Sequence, residues 1–196
     1  RFLLKEGNEI ISQPIKGTSR RGLNAQEDIL LAKKLSQSSK DISENTMIVD
    51  LVRNDLSITA KPASVKVEKL CGVYTFSHVH QMISTISSTL KEKNNFVDVL
   101  STTFPMGSMT GAPKIKAMQL IEKYEESKRD VYSGSVGYIT PNGDFDFNVI
   151  IRSLLYDSEK KHLSFTVGGA IVSKSEAINE YEECLIKAKP IFQIFS

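Results

Sequence analysis

Apolar and polar residues along this chain cluster and break at spacings that predict short strands mixed with helices. Two strand-like runs, residues 2–5 and 9–12, flank the turn signal Glu6-Gly7-Asn8, so the chain opens as a β-hairpin. Asn24 stands three residues before Glu27, the spacing of a capping box, and a helix is expected from there to about Gln37. Ile42, Met47, Ile48, Leu51 and Val52 recur at three- and four-residue spacing within 41–55, which predicts a second helix with one buried stripe. Strands are expected at 65–70 and 73–77 around Cys71-Gly72, and a helix of modest hydrophobicity at 81–91. A short segment at 96–100 precedes a loop at 105–113, whose Pro113 suits the first turn of a helix reaching about Glu126. Segments 133–140 and 145–156 flank Pro141-Asn142-Gly143-Asp144, the strongest hairpin signal in the chain. A third strand at 162–167 follows the polar turn 157–161, and a last helix runs from about Ser175 to Ile194, ended or kinked at Pro190. Antiparallel strands mixed with helices make the class α+β, with antiparallel sheets and helices packed outside them. No internal repeat, low-complexity linker or domain boundary is visible, so residues 1–196 read as one region.

Composition narrows the class further. An apolar content of 40% with 24% charged residues is that of an ordinary soluble protein. The apolar stretches are a few residues long, far short of the roughly 20 that cross a bilayer, and no charged-then-apolar leader opens the sequence. A cytoplasmic protein with no membrane partner is the expectation. Net charge is +2 and no basic run is interleaved with aromatics, which makes nucleic acid a poor partner. Cys71 and Cys184 have no metal-ligand spacing and suggest no disulfide framework, so both read as small buried hydrophobes. The sequence starts at Arg1 and runs straight into the hairpin, which implies a missing upstream part.

The candidate chemistry begins at Pro14-Ile15-Lys16-Gly17-Thr18. Proline fixes the backbone on one side and glycine frees it on the other, so this reads as a stiff turn that aims the Lys16 ammonium. An aimed lysine can become a nucleophile. Two glycine-rich turns, Gly107-Ser108-Met109-Thr110-Gly111-Ala112-Pro113-Lys114 and Val167-Gly168-Gly169-Ala170, present backbone N–H groups that suit a small polyanion. Glu44 and Glu183, on separate helices, would need a cation between them and such a ligand, and hard oxygen donors favour Mg²⁺. The first turn lacks P-loop spacing, and no G-x-G-x-x-G follows a strand. Each feature alone has a plainer reading. Lys16 could be a solvated turn lysine, and Glu44 and Glu183 solvated helix carboxylates, with Glu180 or Glu182 as the alternative ligand. Tyr138 and Arg152 could cap a core edge, and Gly168-Gly169 could be a bulge.

Taken together and in order, these segments resemble the chorismate-binding enzymes. The segments are the Lys16 pentapeptide, the run from Glu44 to Asp55, the Gly107 to Lys114 loop, Gly137-Tyr138, Ile151-Arg152-Ser153, Gly168-Gly169 and the stretch from Glu183 to Lys187. The family includes anthranilate synthase component I, aminodeoxychorismate synthase component I and the isochorismate and salicylate synthases. The resemblance spans nearly the whole sequence and implies the C-terminal catalytic region of a longer protein whose N-terminal half is absent.

The resemblance also implies site roles. Mg²⁺ held by Glu44 and Glu183 would grip the ring carboxylate of chorismate, with Asp41 in its outer shell. Tyr138 and Arg152 would hold the enolpyruvyl carboxylate, Arg152 by a forked contact. Gly168, Gly169 and Lys187 would complete the carboxylate contacts, and Ser108 and Thr18 would line the ring. Lys16 selects among members, because anthranilate synthases usually carry alanine there and many aminodeoxychorismate synthases carry lysine. The implied reaction is amination of chorismate to 4-amino-4-deoxychorismate through a covalent lysine intermediate, in folate (para-aminobenzoate) biosynthesis. No amidotransferase cysteine motif is visible, so ammonia is expected from a separate glutamine amidotransferase subunit. Anthranilate synthase, isochorismate synthase and a non-catalytic fragment are the alternatives. Free lysine has a pKa of about 10.4, so a nucleophilic Lys16 must be desolvated or sit near positive charge. Two departures stand out: Gln81, with His80 beside it, occupies the place of the family's leaving-group histidine, and Ala170 that of a third glycine. Helix neighbours point about 100° apart, so His80 is no simple substitute and the general acid stays open.

Overall fold

Turn chemistry sets up the first hairpin. Gly7 takes a positive φ of 57° between β1 (Leu3–Glu6) and β2 (Glu9–Ser12), which pair antiparallel with Lys5 opposite Ile10. These strands join β3 (Ile15–Arg20), β4 (Lys66–Thr75), β5 (Val79–Thr89), β6 (Ser135–Ile139) and β7 (Phe145–Val149) in one seven-stranded antiparallel sheet. Strand β5 is its spine: β4 pairs along one edge, while β2 and β3 share the other, Ser12 opposite Ile86 and Ile15 opposite Ile83. From β2 the sheet continues through β1 and β7 to β6. Four helices accompany it, α1 (Ala25–Ser36), α2 (Ser39–Thr59), α3 (Phe96–Thr103) and α4 (Lys114–Tyr124), with a 3₁₀ turn at Gly107–Met109. The remaining elements are β8 (Leu155–Asp157) and β9 (His162–Ser164), which form a two-stranded ribbon, and α5 (Ala177–Phe192). This computed structural model describes residues 1–173 and 175–195.

The chain divides into two compact units, Arg1–Glu126 with Ser135–Val149, and Ser127–Gly134 with Ile150–Ser196. The first holds the sheet and α1 to α4. Its core forms where Val49 and Leu56 of α2 meet Leu3, Ile10, Ile86, Val99, Met106 and Phe145. Each such side chain contributes about 1.5–3 kcal/mol of burial free energy. The second unit holds the β8–β9 ribbon and α5.

Several expectations are corrected. Of residues 81–91, those up to Thr89 lie in strand β5, not helix. Met82 and Ile86 are fully buried on one face of β5 while Gln81, Ile83 and Thr85 are half-buried on the other, but the inward positions also include His80, Ser84 and Ser88. Those polar residues hide the two-residue period. The two strands expected around Cys71-Gly72 are one strand, β4, which passes that point through bulges, with Cys71 at φ 51°. Pro14 to Thr18 is no free turn either. Residues 15–18 belong to β3, bulged between Ile15 and Thr18, with Gly17 at φ 90°. Helix α2 runs past the expected end at 55, and the expected strand 145–156 breaks after Val149 because Arg152 turns the chain at φ 52°. Helix α5 passes through Pro190 and stops at Phe192.

Candidate active site

In the first unit, the bulge in β3 carries Lys16 and Thr18 on either side of a backbone pressed against α2. A Cβ on Gly17 would lie 2.9 Å from Asp41 Cβ and 3.0 Å from Asp41 Oδ1. Asp41 stands in the first turn of α2, where Ser38 caps the helix by accepting the Asp41 N–H at 3.3 Å. Glu44, three residues on, shares its face. Lys16, Asp41 and Glu44 are all half-buried, and none of their side chains makes a hydrogen bond or ion pair among the described residues. Thr18 pairs with Gln81 of β5.

Behind them, α2 is locked to the sheet by polar contacts. Asn45, fully buried, donates from Nδ2 to the Met82 carbonyl at 3.3 Å and accepts from Ser84 Oγ, which itself accepts the Cys71 N–H at 2.8 Å. A second cluster ties the end of β3 to α1. Asp28 accepts from Arg21 Nε and Nη2, both at 2.8 Å, from the Gly22 N–H at 2.7 Å and from His80 Nε2 at 2.9 Å. The Arg21 fork first, then the Gly22 amide and His80, hold the Asp28 carboxyl well below the usual carboxylate range. An ionised carboxylate only accepts, so His80 Nε2 carries its proton there, and Nδ1 meets Thr75 Oγ1 at 2.9 Å.

The Gly107 to Lys114 loop leans on α2 as well. A Cβ on Gly107 would lie 2.6 Å from Leu51 Cδ2, and Ser108 sits half-buried in the 3₁₀ turn beside it. At the end of the loop, Lys114 Nζ pairs with buried Asp55 at 2.7 Å and donates to the Thr103 carbonyl at 3.0 Å. Burial pushes the Asp55 carboxyl up, and Lys114 offsets part of that rise. The sequence reading placed Asp55 at the end of the second expected helix and Lys114 at the end of the glycine-rich loop but missed their pairing, as it missed the Asp28 cluster. Tyr138 on β6 is 63% exposed.

In the second unit, Glu180, Glu183 and Lys187 recur at three- and four-residue spacing and so line one face of α5. Lys187 Nζ pairs with Glu183 Oε1 at 2.6 Å and donates to the Gly168 carbonyl at 2.9 Å. A Cβ on Gly169 would lie 3.1 Å from Glu180 Oε2, whose other oxygen accepts from Ser175 Oγ at 2.6 Å. The glycine pair, Glu183 and Lys187 thus lie close together, and Glu182 is exposed. Gly168 also abuts the Tyr132 hydroxyl, 2.8 Å from where a Cβ would stand. Arg152 is exposed and has no ion pair among the described residues.

The described residues contain no group of three or more His, Cys, Asp and Glu arranged to hold a metal. A cation here would be held by fewer side chains together with ligand and water oxygens, which is how Mg²⁺ is commonly bound. The unpartnered carboxylate of Glu44 fits that role. No helix among the described residues is long and apolar enough to cross a membrane.

Sheet, helices and motif order together define an α+β enzyme scaffold, and the comparisons with known proteins say which. A family model described as chorismate binding enzyme matches residues 1–193, and the chain belongs to that family. It is 42% identical to aminodeoxychorismate synthase component 1 of Escherichia coli (strain K12), over 98% of this chain and 42% of that protein. It is 40% identical to anthranilate synthase component 1 of Aquifex aeolicus, over 97% of this chain and 38% of that protein. Among solved structures, anthranilate synthase component I from Streptococcus pneumoniae superposes with a TM-score of 0.82 at 34% identity, covering 95% of this chain and 40% of the other. The chain thus spans less than half the length of the curated relatives it matches.

Proposed function

We propose that this chain is the catalytic region of an aminodeoxychorismate synthase component I, which aminates chorismate with ammonia to give 4-amino-4-deoxychorismate. The observation that carries the reading is Lys16, a half-buried lysine without a protein partner among the described residues. Its strand is fixed by a glycine at φ 90° whose backbone rests on Asp41. The 42% identity to aminodeoxychorismate synthase component 1 of E. coli supports the same choice.

Lys16 Nζ, as its free amine, adds to ring C2, the C1=C2 and C5=C6 double bonds both shift, to C1=C6 and C4=C5, and the C4–O bond breaks; the new C2 amine gives up one proton and the hydroxyl takes one up to leave as water. Ammonia then adds at C4, both double bonds shift back, and the C2–N bond breaks, a proton passing from the incoming nitrogen to the departing one to return Lys16 as a free amine. The enolpyruvyl group stays on the ring. Arg152 and Tyr138 hold its carboxylate, the amides of Gly168 and Gly169 and the Lys187 ammonium take carboxylate oxygens, and Ser108 and Thr18 line the ring. Glu44 and Glu183 are the carboxylates that would hold Mg²⁺. Bound Mg²⁺ supplies Lewis-acid polarisation of the ring carboxylate. The ammonia comes from a separate glutamine amidotransferase subunit, and the setting is cytoplasmic folate (para-aminobenzoate) synthesis.

The 40% identity to an anthranilate synthase component 1 favours one rival, amination with loss of pyruvate. The deciding experiment incubates the protein with chorismate, Mg²⁺ and ammonia and reads the products by mass spectrometry. Retained enolpyruvyl supports the proposal; released pyruvate moves it to the rival. Lys16→Ala should abolish or redirect amination while chorismate binding persists, and full turnover in that variant would exclude the covalent route.

A further inference from the structure

Residues 104–113 leave the end of α3 and return at the start of α4, and a single side chain closes the neck of this loop. Lys114 Nζ reaches back across it to the carbonyl of Thr103, the last residue of α3, at 3.0 Å. The same ammonium is fixed from below by Asp55 Oδ2 at 2.7 Å, and Asp55 is only 6% exposed. Asp55 and Leu51 lie one helical turn apart on α2. Leu51 touches the loop at Gly107, where a Cβ would come within 2.6 Å, so one face of α2 holds both the middle of the loop and its neck. Inside the loop, Thr110 Oγ1 donates to the Met106 carbonyl at 3.1 Å and the Thr110 N–H to Gly107 O at 3.3 Å, which shapes the turn that carries Ser108.

The loop is tied to the rest of the first unit by Leu51 at Gly107, by Met106, which is buried in the core, with Met109 packed against it, and by Lys114 at the neck. The packing contacts of Leu51 and Met106 are apolar and non-directional. Lys114 provides a directional one: an ammonium has three donors, and two of them are spent on fixed acceptors in two different helices. We infer that Lys114, held by Asp55, is a positioning residue that fixes the Ser108 loop for the substrate ring. The inference rests on the proposed function for the identity of the ring, though the stapling of the loop does not. A loop released at its neck samples more conformations, and a substrate must then order it on binding. Contacts that Ser108 makes equally to substrate and transition state would be lost from affinity, not from the chemical step.

The test uses the whole chain carrying Asp55→Leu with Lys114→Met, a pair of apolar replacements. Exchanging both members of a buried ion pair is tolerated far better than removing one. Asp55→Asn, which keeps an acceptor and leaves Lys114 on Thr103, serves as a second variant should the double one not fold. Amide hydrogen exchange across 104–113, thermal midpoint, and KM and kcat for chorismate are measured on each. Expected is exchange in the loop faster by at least about tenfold with the protection of β5 and α2 retained. KM should rise by about tenfold with kcat changed less than about threefold, and Asp55→Asn should show the same pattern weakened. Unchanged loop protection overturns the inference, and so does lost protection with an unchanged KM. If the unmodified chain fails to bind chorismate while the variants still loosen the loop, the functional reading fails and the staple stands.

Discussion

Replacing Gly17 by alanine tests the contact that fixes the candidate nucleophile's strand. Gly17 holds φ at 90°, a conformation that costs an L-residue about 1–2 kcal/mol. The new methyl would stand 2.9 Å from Asp41 Cβ and 3.1 Å from Asp41 Cγ, closer than carbon atoms pack. Asp41 is rooted in the first turn of α2, so relief requires the strand or the helix to shift, an overpacking cost of about 1–3 kcal/mol. The sum is about 2–5 kcal/mol of lost stability, read from urea unfolding of Gly17→Ala against the parent chain. Two further variants separate the parts. Asp41→Ala alone removes a carboxylate with no hydrogen bond among the described residues and should change stability by no more than about 0.5 kcal/mol. Gly17→Ala with Asp41→Ala should recover the overpacking share and retain only the φ cost. A double variant as unstable as Gly17→Ala alone would mean that strand and helix do not meet there, and the reasoning about Lys16 placement would fall with it.

Other outcomes follow from the same contacts. Met82 is fully buried between sheet and helices, so Met82→Ala should cost about 2–5 kcal/mol in chemical denaturation. Asp28, held below the usual carboxylate range chiefly by Arg21, adds stability that is complete above about pH 4, the ordinary Asp value, and fades as pH falls toward its folded-state pKa. Asp28→Asn should therefore lower the urea midpoint near neutrality and flatten its decline in acid; an unaltered acid limb would place the sensitivity on other carboxylates. Under the proposed chemistry, Glu183→Gln should raise the Mg²⁺ concentration for half-maximal turnover by at least about tenfold. An unmoved metal dependence would shift the ligand to Glu180, which lines the same face of α5.

What could be read from the sequence was whatever is encoded locally. The hairpins at Gly7 and Gly143 follow from turn residues beside the strands they join, and the start of α1 from Asn24, whose side chain accepts the Glu27 N–H at 2.9 Å. Even there Glu27 reaches the Leu23 N–H in place of the cap's own amide, so the predicted box closes one residue early. Strand β5 was misread because its inward polar residues are satisfied by groups far along the chain. His80 meets Asp28 across 52 residues and Ser84 meets Asn45 across 39, and no window of sequence contains both partners. The same limit hid Asp55 and Lys114, 59 residues apart. Lys16, Glu44, Ser108, Gly168 and Lys187 could be singled out as candidates because their neighbours in sequence form a motif. Their supports could not be, because a support is defined by what it touches.

The correction at β5 also changes the chemistry under consideration at His80 and Gln81. On a helix both side chains could reach one cleft from neighbouring angles, but on a strand consecutive side chains leave opposite faces. Register pairs Thr18 with Gln81, and directly paired residues share a face. His80 therefore lies on the far face, 1% exposed, with both ring nitrogens engaged by Asp28 and Thr75. Its role is to join α1, β4 and β5. Gln81 stands on the Thr18 face, yet an amide has no proton to release near neutral pH and can only donate or accept hydrogen bonds. Under the proposed chemistry, with the ring on the Lys16 and Thr18 side, a proton for the departing hydroxyl would come from a titratable group other than His80 or Gln81, or from water, and Gln81 is suited to orient such a water.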